Sequence, residues 1–165
     1  MAQIWVNLPK AYQMTPPRYQ EITSANVPVV PVSEGKGEVR VIAGNFNGTK
    51  GAATTFTPLN MFDMKLKAGA KFSFDIPKTH NTSLLVVEGS LTVNGAEVQL
   101  HDFVLFRDNG ETIEISAEED AVVLVLSGEP IDEPIAQYGP GVMKTQQEIM
   151  EAIDDFNAGK FGKLE

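Results

Sequence analysis

The stretch Leu84-Leu85-Val86-Val87-Glu88-Gly89-Ser90-Leu91-Thr92-Val93-Asn94-Gly95-Ala96-Glu97-Val98 decides the class of the fold. Two strand-like runs meet at Asn94-Gly95, and a two-residue hairpin loop needs positive φ at both central positions, which Asn and Gly tolerate best. Just upstream, Phe72, Phe74 and Ile76 alternate with Lys71, Ser73 and Asp75 at the period of a half-buried strand. Downstream, Asn109-Gly110 between Phe103-Val104-Leu105-Phe106 and Thr112-Ile113-Glu114-Ile115 predicts a second hairpin. The unbroken run Ala121-Val122-Val123-Leu124-Val125-Leu126 predicts a strand buried on both faces. Many short strands between Met61 and Ser127 imply an all-β sandwich or barrel.

The flanks read differently. Pro9, Pro16, Pro17, Pro28 and Pro31 make the first thirty-odd residues an extended arm laid across a sheet rather than a helix. Gly- and Asn-rich loops at 33–36 and 45–51 bracket a strand at Val39-Arg40-Val41-Ile42-Ala43. After Gly128-Glu129-Pro130 the pattern breaks. Thr145 and Glu148 form a capping box, Ile149, Met150, Ile153 and Phe156 recur at helical spacing, and Gly159 stops the run, so one helix over about 146–157 is predicted. The expected organisation is a single domain: an arm at 1–37, a barrel core at 38–130 and a tail at 131–165. The apolar stripe of the tail helix has to be covered by the barrel's outer surface or by a neighbouring molecule.

Composition narrows the partners. The 165 residues suit one domain with a real core, and with no cysteine there is neither a disulfide framework nor a thiolate metal site or nucleophile. Thirteen basic against 22 acidic residues give a net charge of −9, which repels phosphate backbones and anionic headgroups; no direct nucleic-acid or membrane partner is expected. The start Met1-Ala2-Gln3-Ile4-Trp5 opens no basic-then-apolar signal, and the expected compartment is the cytoplasm.

The run from Gly69 to Gly89 and the hairpin after it resemble the cupin layout, whose first motif reads glycine, five residues, His-x-His, three or four residues, glutamate, six residues, glycine. In that frame the two histidines fall on Asp75 and Pro77, the glutamate on Asn81 or Thr82, and the second motif's histidine on Phe106. These side chains cannot form an imidazole-rich metal shell, and proline has no donor at all. Only His80 and His101 remain in the chain. A looser site of Asp75, His80 and His101 is outweighed by the plainer reading, in which His80 anchors its loop by bonding backbone and His101 is a strand-end surface residue. Ser73, Ser83, Ser90 and Ser127 sit in no strained nucleophile elbow, and the acidic runs at 118–120 and 154–155 read as solvated charge. Trp5 and the phenylalanines read as core. No catalytic, cofactor or metal residue is assigned. Ser73, Asp75, His80 and Phe106 remain as candidate pocket residues for a rival reading, a small-molecule-binding cupin with a cavity beside Phe72 or Phe74.

Three stretches together resemble the C-terminal half of the pirin family: Trp5-Val6-Asn7-Leu8-Pro9 with Met14-Thr15-Pro16-Pro17-Arg18-Tyr19-Gln20; His80-Asn81 with Val87-Glu88-Gly89 and Val93-Asn94-Gly95; and Glu133-Pro134-Ile135, Gly139-Pro140, Val142-Met143, Thr145, Glu148-Ile149 and Asp155-Phe156, closing on Gly159-Lys160-Phe161-Gly162. The segment 23–36 matches poorly, and Gly141-Val142-Met143-Lys144 departs from the family's Phe-Val-Met-Asn. The resemblance implies a cupin double-stranded β-helix barrel, jelly-roll-like, with one C-terminal helix. It also implies that iron, with its three histidines and one glutamate, belongs to the N-terminal barrel of two-barrel relatives, some of which act as quercetin 2,3-dioxygenases or as protein cofactors. This chain alone is then expected to carry no cofactor and no catalysis, and to support an N-terminal pirin-like barrel or pair with a second copy.

Overall fold

A computed structural model of the chain describes residues 3–162, which fall into two units, 19–130 and 3–18 with 131–162. In chain order the first unit carries β1 (Val29–Val32), β2 (Gly37–Ala43), β3 (Asn45–Phe46), β4 (Thr49–Lys50), β5 (Leu59–Leu66), β6 (Ala70–Asp75), β7 (Asn81–Glu88), β8 (Leu91–Val93), β9 (Ala96–Val98), β10 (Phe103–Leu105), β11 (Thr112–Ala117) and β12 (Ala121–Gly128). Two antiparallel sheets result, ordered β1-β2-β5-β12-β7-β10 and β6-β11-β8-β9. Apolar residues at alternate positions of both sheets meet in one core. Val39, Val41, Phe62, Met64, Leu84, Val86, Val123 and Val125 come from the larger sheet, and Phe74, Ile113, Ile115, Leu91 and Val93 from the smaller. Phe46 sits between them, its ring 5.2 Å from Phe62 and 5.5 Å from Phe74. This is the all-β cupin jelly roll that the sequence implies.

The Asn94-Gly95 hairpin forms as read: β8 pairs with β9, and the turn residues take φ of 48° and 79°. Asn109-Gly110 does not make a hairpin. β10 pairs with β7, whereas β11 pairs with β6 and β8 in the other sheet, so residues 106–111 cross from sheet to sheet and neither Asn109 nor Gly110 needs positive φ. β12 is central, between β5 and β7, but its faces differ: Ala121, Val123 and Val125 are fully buried, while Val122, Leu124 and Leu126 are half-buried. The part of the arm in this unit supplies β1, an edge strand, which is where Pro31 is tolerated.

In the second unit Lys10–Gln13 forms one helical turn, α1, where extended chain was expected; the Tyr12 amide donates to the Pro9 carbonyl at 2.8 Å and closes the turn. β13 (Ala136–Tyr138) and β14 (Gly141–Met143) form a hairpin, and α2 (Gln146–Asn157) follows. The capping box is complete: Thr145 Oγ1 accepts from the Glu148 amide at 3.2 Å, and Glu148 Oε2 accepts from the Thr145 amide at 3.1 Å. Of the apolar stripe only Ile149 is buried; Met150 and Phe156 are exposed. Trp5, read as core, is 69% exposed. A chain of alternating charges ties this unit together. Lys10 Nζ lies 2.7 Å from Glu148, the Lys10 amide donates to Glu133 at 2.9 Å, and Glu133 lies 3.1 Å from the buried Lys144 Nζ.

Candidate functional site

Asn60, Thr82 and Ser127 are the three buried polar side chains of the barrel unit, and they stand in one row. Asn60 on β5 is opposite Ser127 on β12, which is opposite Thr82 on β7. Each occupies an inward position at its strand's end, where the apolar series stops. Buried polar groups need partners: Asn60 Oδ1 accepts from the Asn45 amide at 3.0 Å, and Ser127 Oγ lies 2.8 Å from His80 Nδ1. The row forms a polar end to an otherwise apolar interior.

A cavity of about 260 Å³ opens at this end, lined by Pro77, His80, Thr82 and Phe106, with Val93 and Val98 as apolar wall and Lys78 and Arg107 among its polar residues. Three of the positions that cupin spacing gives to ligands, Pro77, Thr82 and Phe106, thus converge on one space. A pyrrolidine, a hydroxyl and a phenyl ring do not fit iron or zinc. Among the described residues no cluster of three or more His, Cys, Asp or Glu could hold a metal ion.

The candidate pocket residues separate. His80 and Phe106 line the cavity; Asp75 lines an adjoining open depression, which His80 also borders; Ser73 reaches neither. Ser73 and Asp75 point outward because Phe72 and Phe74, on the same strand, point inward. Asp75 accepts from the Thr112 hydroxyl at 2.7 Å. The Phe74 ring packs in the core against Phe46 and Phe62. The His80 ring bonds Ser127 rather than backbone; it is the His80 amide that bonds the Pro77 carbonyl, at 2.9 Å. Burial holds the imidazole below its ordinary pKa, against a weaker upward pull from Glu129. Ser127 lines neither depression, so this bond orients the ring and makes no exposed nucleophile. His101 is exposed, in a turn rather than at a strand end, at φ 69°. Asn60, Lys78 and Arg107 escaped the sequence reading, and Ser127 entered it only as a serine in no nucleophile elbow; the one available signal was Thr82 at the glutamate's count in the first motif.

No helix among the described residues is long and apolar enough to cross a membrane. Residues 61–162 match the Pirin C-terminal cupin domain. A Pseudomonas aeruginosa protein named "Putative quercetin 2,3-dioxygenase PA2418" is 44% identical over 98% of this chain and 56% of its own length. Arabidopsis thaliana Pirin-1 is 35% identical over 97% of this chain and 57% of its own. The solved structure of an Acinetobacter baumannii quercetin 2,3-dioxygenase superposes with a TM-score of 0.92 at 45% identity, covering 98% of this chain and 56% of that one. The chain therefore spans little more than half the length of these relatives, and both its matched segment and its barrel place it in the pirin family, as a pirin C-terminal cupin domain.

Proposed function

We propose that this chain is a non-catalytic cupin barrel that supports a partner cupin barrel. The observation that carries the reading is that Pro77, Thr82 and Phe106, which stand where cupin spacing puts metal ligands, line one cavity with side chains that do not suit iron or zinc. The quercetin dioxygenase activity in the relatives' names would then be chemistry of a partner barrel. The unmatched part of the Pseudomonas relative is comparable in length to the barrel unit here, which makes a second cupin barrel the natural partner. An apolar surface suits it. On edge strand β10, Phe103 and Leu105 share one face and stay exposed, with exposed Leu100 just before them. These exposed apolar side chains would gain from burial in a protein contact.

The test is elemental analysis of the purified chain with its solution mass. Iron and zinc far below one per chain, with no turnover of quercetin, are expected. One iron per chain that disappears in a His80→Ala variant would overturn the reading. A dimer that dissociates on Leu105→Lys would give the β10 patch to a second copy instead.

A further inference from the structure

The cavity at the polar end of the barrel has the features of a ligand site, and its chemistry differs from that of a metal centre. Its far side is apolar, formed by Val93, Val98 and the Phe106 ring. Thr82 and His80 contribute a hydroxyl and a neutral imidazole whose Nδ1 is already committed to Ser127, leaving Nε2 as the ring's remaining polar atom. Asn94 Oδ1 is likewise spent on the Glu114 amide at 2.8 Å, which leaves that side chain its NH₂ donors.

Lys78 and Arg107 complete the lining. Cations are scarce in this chain; among the described residues Lys10, Arg40, Lys65, Lys67, Lys144 and Lys160 stand in ion pairs, and Lys36, Lys50 and Lys71 do not. Lys78 and Arg107 form none among the described residues, although acids outnumber bases 22 to 13, and segments far apart in sequence bring them to one opening. Asp108 and Glu111 also line it, so the lining carries no net charge in bulk. In a protein of −9, these two cations, free of ion pairs, and the neighbouring uncharged donors give an anion partners at this opening, against the opposing charge of Asp108 and Glu111. The guanidinium offers a two-pronged match to a carboxylate.

We infer that this cavity binds a small monocarboxylate with a short apolar body, its carboxylate toward Arg107 and Lys78 and its hydrocarbon against Phe106 and Val98. At about 260 Å³ the space lies below the roughly 300–1,000 Å³ of pockets for drug-sized ligands, so the ligand has only a few carbons or one ring. The inference is independent of the partner-barrel reading, since the ligand needs neither metal nor a second chain.

Two-dimensional amide NMR of the full chain tests it, titrating sodium propionate and sodium benzoate against sodium chloride at matched ionic strength, with glycerol and methylammonium as controls. The expected result is saturable shifts centred on His80, Thr82 and Phe106 with the carboxylates only. Arg107→Ala should weaken binding about tenfold, the factor for one lost charge-assisted contact of roughly 1.4 kcal/mol. Arg107 is exposed, so the variant should fold, and Thr82→Val should weaken the same shifts from inside the cavity. The inference is overturned if carboxylates shift these amides no more than chloride does, if Arg107→Ala binds as well as the parent, or if methylammonium or glycerol binds equally.

Discussion

Glycines at 89 and 95 share a left-handed backbone and differ in surroundings, which separates two costs usually measured together. At Gly95 (φ 79°) a Cβ would meet no atom within 4 Å, whereas at Gly89 (φ 71°) it would stand 2.3 Å from the Asp120 carbonyl oxygen. Gly95→Ala should therefore cost about 1 kcal/mol of unfolding free energy, the conformational term alone, and Gly95→Val that much or more. Gly89→Ala adds a backbone collision and should lose at least about twice as much in denaturant titrations. Equal losses at the two sites would remove the collision from the account. His80 gives a pH prediction. Its folded pKa is lowered by burial, so its neutral form is the one the fold favours. That contribution is fully present above the ordinary imidazole pKa of about 6.5 and is lost as pH falls below it. NMR titration should give a midpoint below that value, and His80→Gln should flatten the decline of stability on the acid side.

Elements were legible where their causes are local. The α2 capping box lies within four residues, and the Asn94-Gly95 turn joins strands that pair with each other. Asn109-Gly110 carried the same dipeptide and misled, because its flanking strands pair with β7, β6 and β8, whose positions a short window does not contain. Thr145→Ala should cost about 1 kcal/mol of helix stability, the usual worth of an N-cap. A larger local loss is expected for Glu133→Gln, because it leaves the buried Lys144 ammonium without its counter-charge. Glu133 is held below the usual carboxylate range, first by the Lys10 amide and then by Lys144, and Glu148 is lowered chiefly by its bond to Lys10. Depressed carboxylates stabilise above their ordinary pKa and stop doing so as pH falls through the folded value. Acid should therefore loosen the segment containing β14 and α2, read as lower protection of the Lys144 and Glu148 amides relative to their intrinsic exchange rates; protection unchanged down to pH 3 would count against the ion-pair account.

For the molecule as a whole, alternation told inside from outside, and three positions singled out by cupin spacing as ligand places, Pro77, Thr82 and Phe106, line one cavity, although the sequence pointed to a cavity beside Phe72 or Phe74. The same alternation, applied to Ser73 and Asp75, would have placed them outside with Lys71. What stayed hidden was set by register between distant strands: nothing near Asn60 announces Ser127, and nothing near His80 announces that its ring will meet the same serine. The two units also differ in what holds them. The barrel has a core of some twenty buried apolar side chains, whereas among the described residues of the other unit the buried apolar side chains are Ala136 and Ile149, beside the buried Lys144. Thermal unfolding followed by hydrogen exchange should release 131–162 before any barrel strand; simultaneous release would mean the units unfold as one.

The place of β12 in the larger sheet bears on how the protein is made. It lies between β5 and β7 yet is the last strand of the barrel in the chain. A ribosome that has delivered everything up to residue 120 has produced two half-sheets, β1-β2-β5 and β7-β10, with no strand to join them. Phe62 and Leu84, both fully buried in the finished barrel, are then without Val125, the residue that stands between them. Closure waits for Ala121–Gly128 to clear the exit tunnel, and pairing over such sequence separation is slow. The nascent barrel is thus an open, apolar object for most of its synthesis, and that interval is when it has most need of a chaperone.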